Sequence, residues 1–366
     1  MHVLLSRQDM LQAVQRCQNI VERRHTIPIL SNILLHADDN TLHFSATDLE
    51  VGIQTSSSAT VKKSGSVTVS ARKLFEVIKE LDTEADVELE VADGFVALKS
   101  GRSRFRLATL AAEEFPEMQH DEEGINIELD GADLAAMIAA TSFAMSSDET
   151  RKYLTGTLFE VDKQGHLCLA ATDGHRLALT RVRLQQNARA GQCIVPRKAV
   201  SEIRKLSEEV AGQVTLRMGD RQVSLLAGDH HLSSKLIDAR FPNYGDVIPK
   251  SNPHAAVVER LALDQVLRRT MIVANEFTHD VRLQINGGEM QVSAHNTEQE
   301  KANESIAIEY SGPDIEIGFN ARYIRDVLGA LKSDVVTISL KDGLSPVLIK
   351  QDMDSAEYYV IMPMRI

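Results

Sequence analysis

The sequence predicts an α+β fold made of three repeated domains, each with two helices and about eight short strands. Three observations predict it. A strand-and-turn block recurs at offsets of 125 and 123 residues, and a strand-into-helix block recurs at offsets of 125 and 124. The chain's 366 residues therefore divide into thirds of about 122, a usual domain size. Composition also breaks twice, in an acidic stretch at 111–124 and a proline- and glycine-bearing stretch at 242–255. These breaks set expected domains at 1–123, 124–249 and 250–366.

Each third opens on a helical stripe. Met10, Val14, Cys17 and Val21 make the first, and Leu134, Met137, Ile138 and Thr141 the second. Leu263, Val266 and Leu267 mark the third. The strand-and-turn block follows as Leu42 to Asp48, Leu167 to Asp173 and Met290 to Asn296, apolar at alternate positions as a half-buried strand requires. The strand-into-helix block comes next. Leu74, Val77, Ile78 and Leu81 repeat at i, i+3, i+4, i+7, as do Ile324, Val327, Leu328 and Leu331. Ala199, Ile203 and Leu206 hold the same face in the middle copy. Short alternating strands close each third and run into Phe115-Pro116, Phe241-Pro242 and Met362-Pro363.

Composition excludes several classes. Apolar residues are 43% and charged residues 25%, near the soluble average. No apolar run approaches the ~18 residues of a membrane span, and Met1 to Asp9 lacks a secretory pattern. Cys17, Cys168 and Cys193 show no paired spacing, which suits buried thiols in a reducing cytoplasm. The net charge of −12 argues at first against nucleic acid. Its distribution argues otherwise. Over 72–81, 197–206 and 321–332, ten cations face four anions, leaving −18 for the remainder. Three basic helices on one side of an acidic shell would attract phosphates without reading bases. No helix-turn-helix, zinc-finger or RNP signature accompanies them.

Candidate chemistry is sparse. Ala171-Thr172-Asp173-Gly174-His175-Arg176 places Asp and His two apart, but Asp-Gly between alternating segments also signals a hairpin. His230-His231 lacks a third metal ligand at useful spacing. Phosphate-loop, dinucleotide, serine-hydrolase and zinc-protease motifs are missing. No catalytic residue, metal or cofactor is expected. The end of the chain, Tyr358 to Ile366, is apolar and carries two methionines around Pro363. It suits either a closing strand or an adaptable docking surface.

Several segments together resemble the bacterial sliding clamps, the beta subunit of the replicative DNA polymerase III holoenzyme. They are Thr26 to Asn32, Ser100 to Phe105, Ala171 to Ala178, Val195 to Lys198, Asp238 to Pro242 and Tyr359 to Arg365. The resemblance implies a head-to-tail homodimer closing into a six-domain ring, with helices lining the hole and sheets outside. Such a ring encircles duplex DNA without sequence preference and tethers the replicative polymerase as a processivity factor. It is opened by a clamp loader and has no catalysis of its own. Partners carrying a short clamp-binding motif would enter a pocket formed by Leu154, Thr172, Gly174, His175, Arg176, Leu177, Pro242, Val247, Leu344, Val360, Met362, Pro363, Met364 and Arg365. DNA contacts would include Arg24, Arg72, Lys73, Tyr153, Arg197 and Lys198. The ring interface would pair Phe105 and Leu107 of one copy with Ile272 and Val273 of the other. Asp246 and Pro346 depart from the family pattern near the pocket and are expected to alter peptide preference.

Two other readings stay open on the residues alone. One is a hydrolase using Asp173 and His175, and the other a monomeric three-repeat peptide scaffold with solvated basic helices.

Overall fold

The computed structural model describes residues 1–22, 26–118, 123–352 and 355–365. Among them are six α-helices and twenty-five strands: α1 Arg7–Ile20, α2 Ala71–Lys79, α3 Gly131–Thr141, α4 Arg197–Glu209, α5 Arg260–Thr270 and α6 Ala321–Ala330. By contacts the chain forms two compact units. One combines Met1–Ala132 with Ser201–Leu236, and the other Asp133–Val200 with Ile237–Ile366.

At four of the six helices the last residue of the preceding strand caps the helix that follows it. Ser6 accepts from the Asp9 N–H ahead of α1, Ser70 from Lys73 ahead of α2, and Asn320 from Arg322 ahead of α6. Asp130 accepts from the Ala132 N–H at the head of α3. The apolar stripes face inward as expected, with one shift. Helix α1 ends at Ile20, which is fully buried, while Val21 is extended and half-buried, its N–H donating to the Cys17 carbonyl. Leu81 and Leu331 lie just past α2 and α6 and are still buried.

In the first unit a thirteen-stranded sheet joins two repeats. The second-repeat strand His230–Lys235 pairs with Val51–Ser58 of the first, with Gly52 opposite Ser233. In the second unit an eight-stranded sheet makes the same junction. Arg176–Arg183 of the second repeat pairs with Tyr358–Ile361 of the third, with Leu177 opposite Val360. The closing-strand expectation for the apolar end therefore holds for Tyr358–Ile361. A four-stranded sheet completes this unit.

Two strands among those left unpaired along most of one side bear on assembly. Ser103–Leu110 pairs with Phe95–Ser100 along its length but meets its other neighbour only through Thr109 and Leu110. Lys301–Ala307 pairs on one side only, with Glu289–His295. Open edges of this kind invite pairing with another chain.

The same turn is built at both repeat junctions. Thr47 Oγ1 donates to the Val51 carbonyl and accepts from the Leu49 N–H, while Asp48 Oδ1 accepts from the Glu50 and Val51 N–H groups. Thr172 and Asp173 repeat every one of these bonds with Arg176, Gly174, His175 and Arg176 in turn. The third residue of the turn has φ +90° at Gly174 and +75° at Leu49. Glycine adopts that conformation freely, whereas a leucine there costs about 1–2 kcal/mol.

All three cysteines are buried, and burial pushes the Cys168 and Cys193 thiols up to about 12. They are inert packing groups. No helix among the described residues is long and apolar enough to cross a membrane.

Candidate ligand pocket and charged surfaces

At the junction of the second and third repeats lies a pocket of about 310 Å³. Four segments of the second unit build it. The strand–turn–strand contributes Thr172, Gly174, Arg176 and Leu177, and the 3-10 segment Glu149–Leu154 contributes Arg151, Tyr153 and Leu154. Pro242, Tyr244 and Val247 come from the loop that ends the second repeat, and Val360 and Met362 from the chain's end. Leu154, Leu177 and Val360 belong to one buried apolar cluster with Phe241. The pocket floor is thus an opening onto the core.

Polar groups at the wall are held by the protein itself. The Arg176 guanidinium donates to Asp173 at 3.1 Å, to Asp326 at 2.5 Å and to the Phe143 carbonyl at 2.8 Å, and lies 4.6 Å from the Tyr323 ring centre. Its side chain is only 10% exposed, so it acts as a fixed wall rather than a free cation. The Tyr244 hydroxyl donates to Glu160 at 2.5 Å, and burial followed by that carboxylate raises its pKa strongly. Met362 is anchored through its N–H, which donates to the His175 carbonyl. Shape is therefore set before any ligand arrives.

Nine of the fourteen expected pocket residues meet here: Leu154, Thr172, Gly174, Arg176, Leu177, Pro242, Val247, Val360 and Met362. The other five lie off the lining. His175 is exposed and stacks on Tyr323 at 6.3 Å between ring centres. Leu344 is 74% exposed in a turn organised by Asp342. Pro363 and Met364 are half-buried, Met364 donating its N–H to Gly318, and Arg365 is exposed. Asp246 accepts from the Asn243 side chain, and the Pro346 carbonyl accepts from Asn252; neither lines the pocket. Arg151 and Tyr244 are lining residues that sequence reasoning missed. The legible signal for Tyr244 was an aromatic two places beyond Pro242.

The Asp-Gly-His motif is a turn rather than a dyad. The Asp173 carboxylate accepts from the His175 and Arg176 backbone N–H groups and from the Arg176 side chain. Among the described residues no group of three His, Cys, Asp or Glu side chains is placed to hold a metal ion.

The basic helices carry their charge at the start. Arg72 is exposed and paired with Glu76 at 2.7 Å, and Lys73 is exposed beside it. Arg197 is exposed and donates to the Met145 and Ser146 carbonyls, while Lys198 is half-buried. Tyr153, 37% exposed, stands at the pocket rim. Arg24 lies outside the described residues. The helix bounds change the charge count. Helix α4 extends to Glu209, adding Glu208 and Glu209, while Glu80 and Lys332 fall outside α2 and α6, so the three helices sum to +4 rather than +6. Cations in first turns oppose the helix dipole, so local stability does not explain their placement there.

Of the four expected interface residues, Ile272 is 80% exposed and Phe105 38%, while Leu107 is buried in its own unit at 9%. Val273 is half-buried, and nearby Phe277, which sequence reasoning missed, is 93% exposed.

Three family descriptions tile the chain: DNA polymerase III beta subunit N-terminal domain over residues 1–119, central domain over 128–243 and C-terminal domain over 245–365. The beta sliding clamp of Pseudomonas putida is 37% identical over 372 aligned residues, covering 100% of both chains. The crystal structure of the DNA polymerase III subunit beta from Pseudomonas aeruginosa matches with a TM-score of 0.96 at 37% identity, again over 100% of both chains. A sliding clamp of Pseudomonas aeruginosa bound to griselimycin matches equally, at TM-score 0.96 and 37% identity over 100% of both chains. The chain belongs to the DNA polymerase III beta subunit family, the beta sliding clamps.

Proposed function

We propose that two copies of this chain close head-to-tail into a ring of six domains, bounded in each copy at 1–123, 124–249 and 250–366, around duplex DNA. The ring is a non-catalytic processivity factor of DNA replication that holds a polymerase on its template. The observation that carries this reading is the full-length match to beta sliding clamps across all three domains. The open strand edges at Ser103–Leu110 and Lys301–Ala307 support closure between copies: exposed Phe105 lies on the first, and exposed Ile272 follows α5, whose Arg269 pairs with Glu304 of the second.

The physics of such a ring is topological. Encirclement retains the protein without tight contact, so Arg24, Arg72, Lys73, Tyr153, Arg197 and Lys198 need only weak, salt-dependent phosphate contacts that permit sliding. A polymerase held to the ring rebinds its primer end intramolecularly, at an effective concentration set by the tether. The pocket supplies that tether. Leu154, Leu177, Val360 and Met362 accept apolar anchors of a short partner peptide, each worth about 1.5–3 kcal/mol when fully buried. Arg176, His175, Pro363, Met364 and Arg365 shape its surroundings. Partners are the polymerase catalytic subunit, other proteins carrying the motif, and a clamp loader that supplies ATP-driven opening; the setting is the cytoplasm.

Product length on singly primed circular DNA tests this function. With a family clamp loader, ATP and a polymerase carrying the motif, adding the protein is expected to lengthen products at limiting polymerase. Unchanged product length would overturn the reading.

A further inference from the structure

A second pocket stands at the junction of the first and second repeats, and it is the repeat counterpart of the one described. Its volume is about 330 Å³ against about 310 Å³. Thr47, Pro116 and Met118 occupy the places that Thr172, Pro242 and Tyr244 hold in the other, in matching sequence blocks. The register agrees, since Gly52 faces Ser233 where Leu177 faces Val360.

The two pockets differ in chemistry. Arg151 and Arg176 are the charged groups lining the later pocket, where no carboxylate lines the cavity among the described residues. The earlier one is lined by Glu50, Glu117 and Lys235, and Lys235 is already paired with Glu50 at 3.0 Å. Glu117 is exposed, has no ion-pair partner among the described residues, and follows exposed Glu113 and Glu114. The floor is small and polar where its counterpart is apolar: Gly52 and Ser233 replace Leu177 and Val360. Met118 covers Gly52 so closely that a Cβ there would lie 2.5 Å from its sulfur.

Leu49 is the telling residue. It lines this pocket, is 42% exposed, and holds φ +75° where the matching turn uses Gly174. A strained leucine half in water gains little for the fold, whereas it gives a ligand an apolar contact beside two carboxylates.

We propose that this pocket is a second peptide site, selective for short basic peptides with an aliphatic residue between lysines or arginines. The aliphatic side chain packs on Leu49 and Met118, and the cations face Glu117 and Glu50. The proposal rests on the reading of the later pocket as a peptide site, through their repeat equivalence. Different lining chemistry at the two sites lets one copy hold two partners of different sequence.

Fluorescence anisotropy on the full chain tests it with two labelled, end-blocked hexapeptides. One alternates arginine and leucine; the other carries aliphatic and aromatic anchors and no cation. The basic probe is expected to bind at least about tenfold tighter than a glutamate–leucine analogue. Leu49→Gly and Glu117→Lys are each expected to weaken it about tenfold, while leaving the aliphatic–aromatic probe at its wild-type affinity. Leu49→Gly relieves the turn, so its melting temperature should be unchanged or raised, and lost binding cannot be blamed on misfolding. Equal binding of the basic and acidic probes would overturn the proposal, as would displacement of the basic probe by unlabelled aliphatic–aromatic peptide. Binding of the basic probe alone would support this site and instead overturn the peptide reading of the later pocket.

Discussion

Ile272→Arg is expected to convert the proposed dimer to monomers. Ile272 is 80% exposed in the chain by itself, so an arginine there leaves the fold untouched. In the proposed ring the same position would be buried against the partner, and a guanidinium without a counter-charge costs about 3–5 kcal/mol on being buried. A two-copy ring contains two such interfaces, so the penalty is counted twice. The dimer dissociation constant should rise by several orders of magnitude. Sedimentation equilibrium reads this directly as a halved mass at concentrations where the wild-type chain is dimeric. Circular dichroism and the melting transition should stay at wild-type values. A variant still dimeric at the same concentrations would remove Ile272 from the interface. Phe105→Arg, at the position proposed to meet it in the other copy, should act in the same direction, more weakly, because Phe105 is only 38% exposed beforehand.

The second large effect is at the pocket. Val247→Asp combined with Met362→Asp is expected to weaken a labelled partner peptide by roughly a hundredfold, as lost apolar contacts worth about 3 kcal/mol would require. Val247 is 40% exposed and Met362 half-buried, so both changes act on the surface of the pocket rather than its core. The neighbouring Leu154, Leu177 and Val360 are buried in one cluster, and charge placed there would unfold the unit instead of informing on binding. Anisotropy titration measures the change, and sedimentation checks that the dimer persists. Retained affinity would remove this pocket from partner recognition.

Much of this was legible in the sequence for physical reasons. Three copies of one pattern impose three copies of one local structure, so the helices, the paired turns at Thr47-Asp48 and Thr172-Asp173, and the buried stripes follow from periodicity and hydrogen-bonding chemistry. The closing strand Tyr358–Ile361 and its docking on Arg176–Arg183 were harder. An apolar terminus signals burial without naming its partner, because strand pairing between repeats depends on distant segments. For the same reason the sequence did not reveal that the two larger sheets cross a repeat boundary.

Pocket membership divides in the same way. Residues inside recurring blocks, such as Thr172, Leu177 and Pro242, line the cavity. Leu344 and Arg365, on a turn and at the chain's end, do not reach the lining, and Tyr244 reaches it through a segment with no strand or helix pattern. Helix ends produced the charge discrepancy. The apolar stripe of α4 stops at Leu206, but its backbone continues to Glu209 and brings two more carboxylates into the helix.

Retention on closed against cut DNA tests the central claim most directly. The protein is loaded on a nicked circular plasmid, freed of excess by gel filtration, and followed before and after a single double-strand cut. Encirclement predicts that it stays on the circle through the filtration and is lost once free ends exist, while moderate salt hardly affects the circular complex. Equal loss from the closed and cut forms would contradict encirclement and leave only ordinary binding.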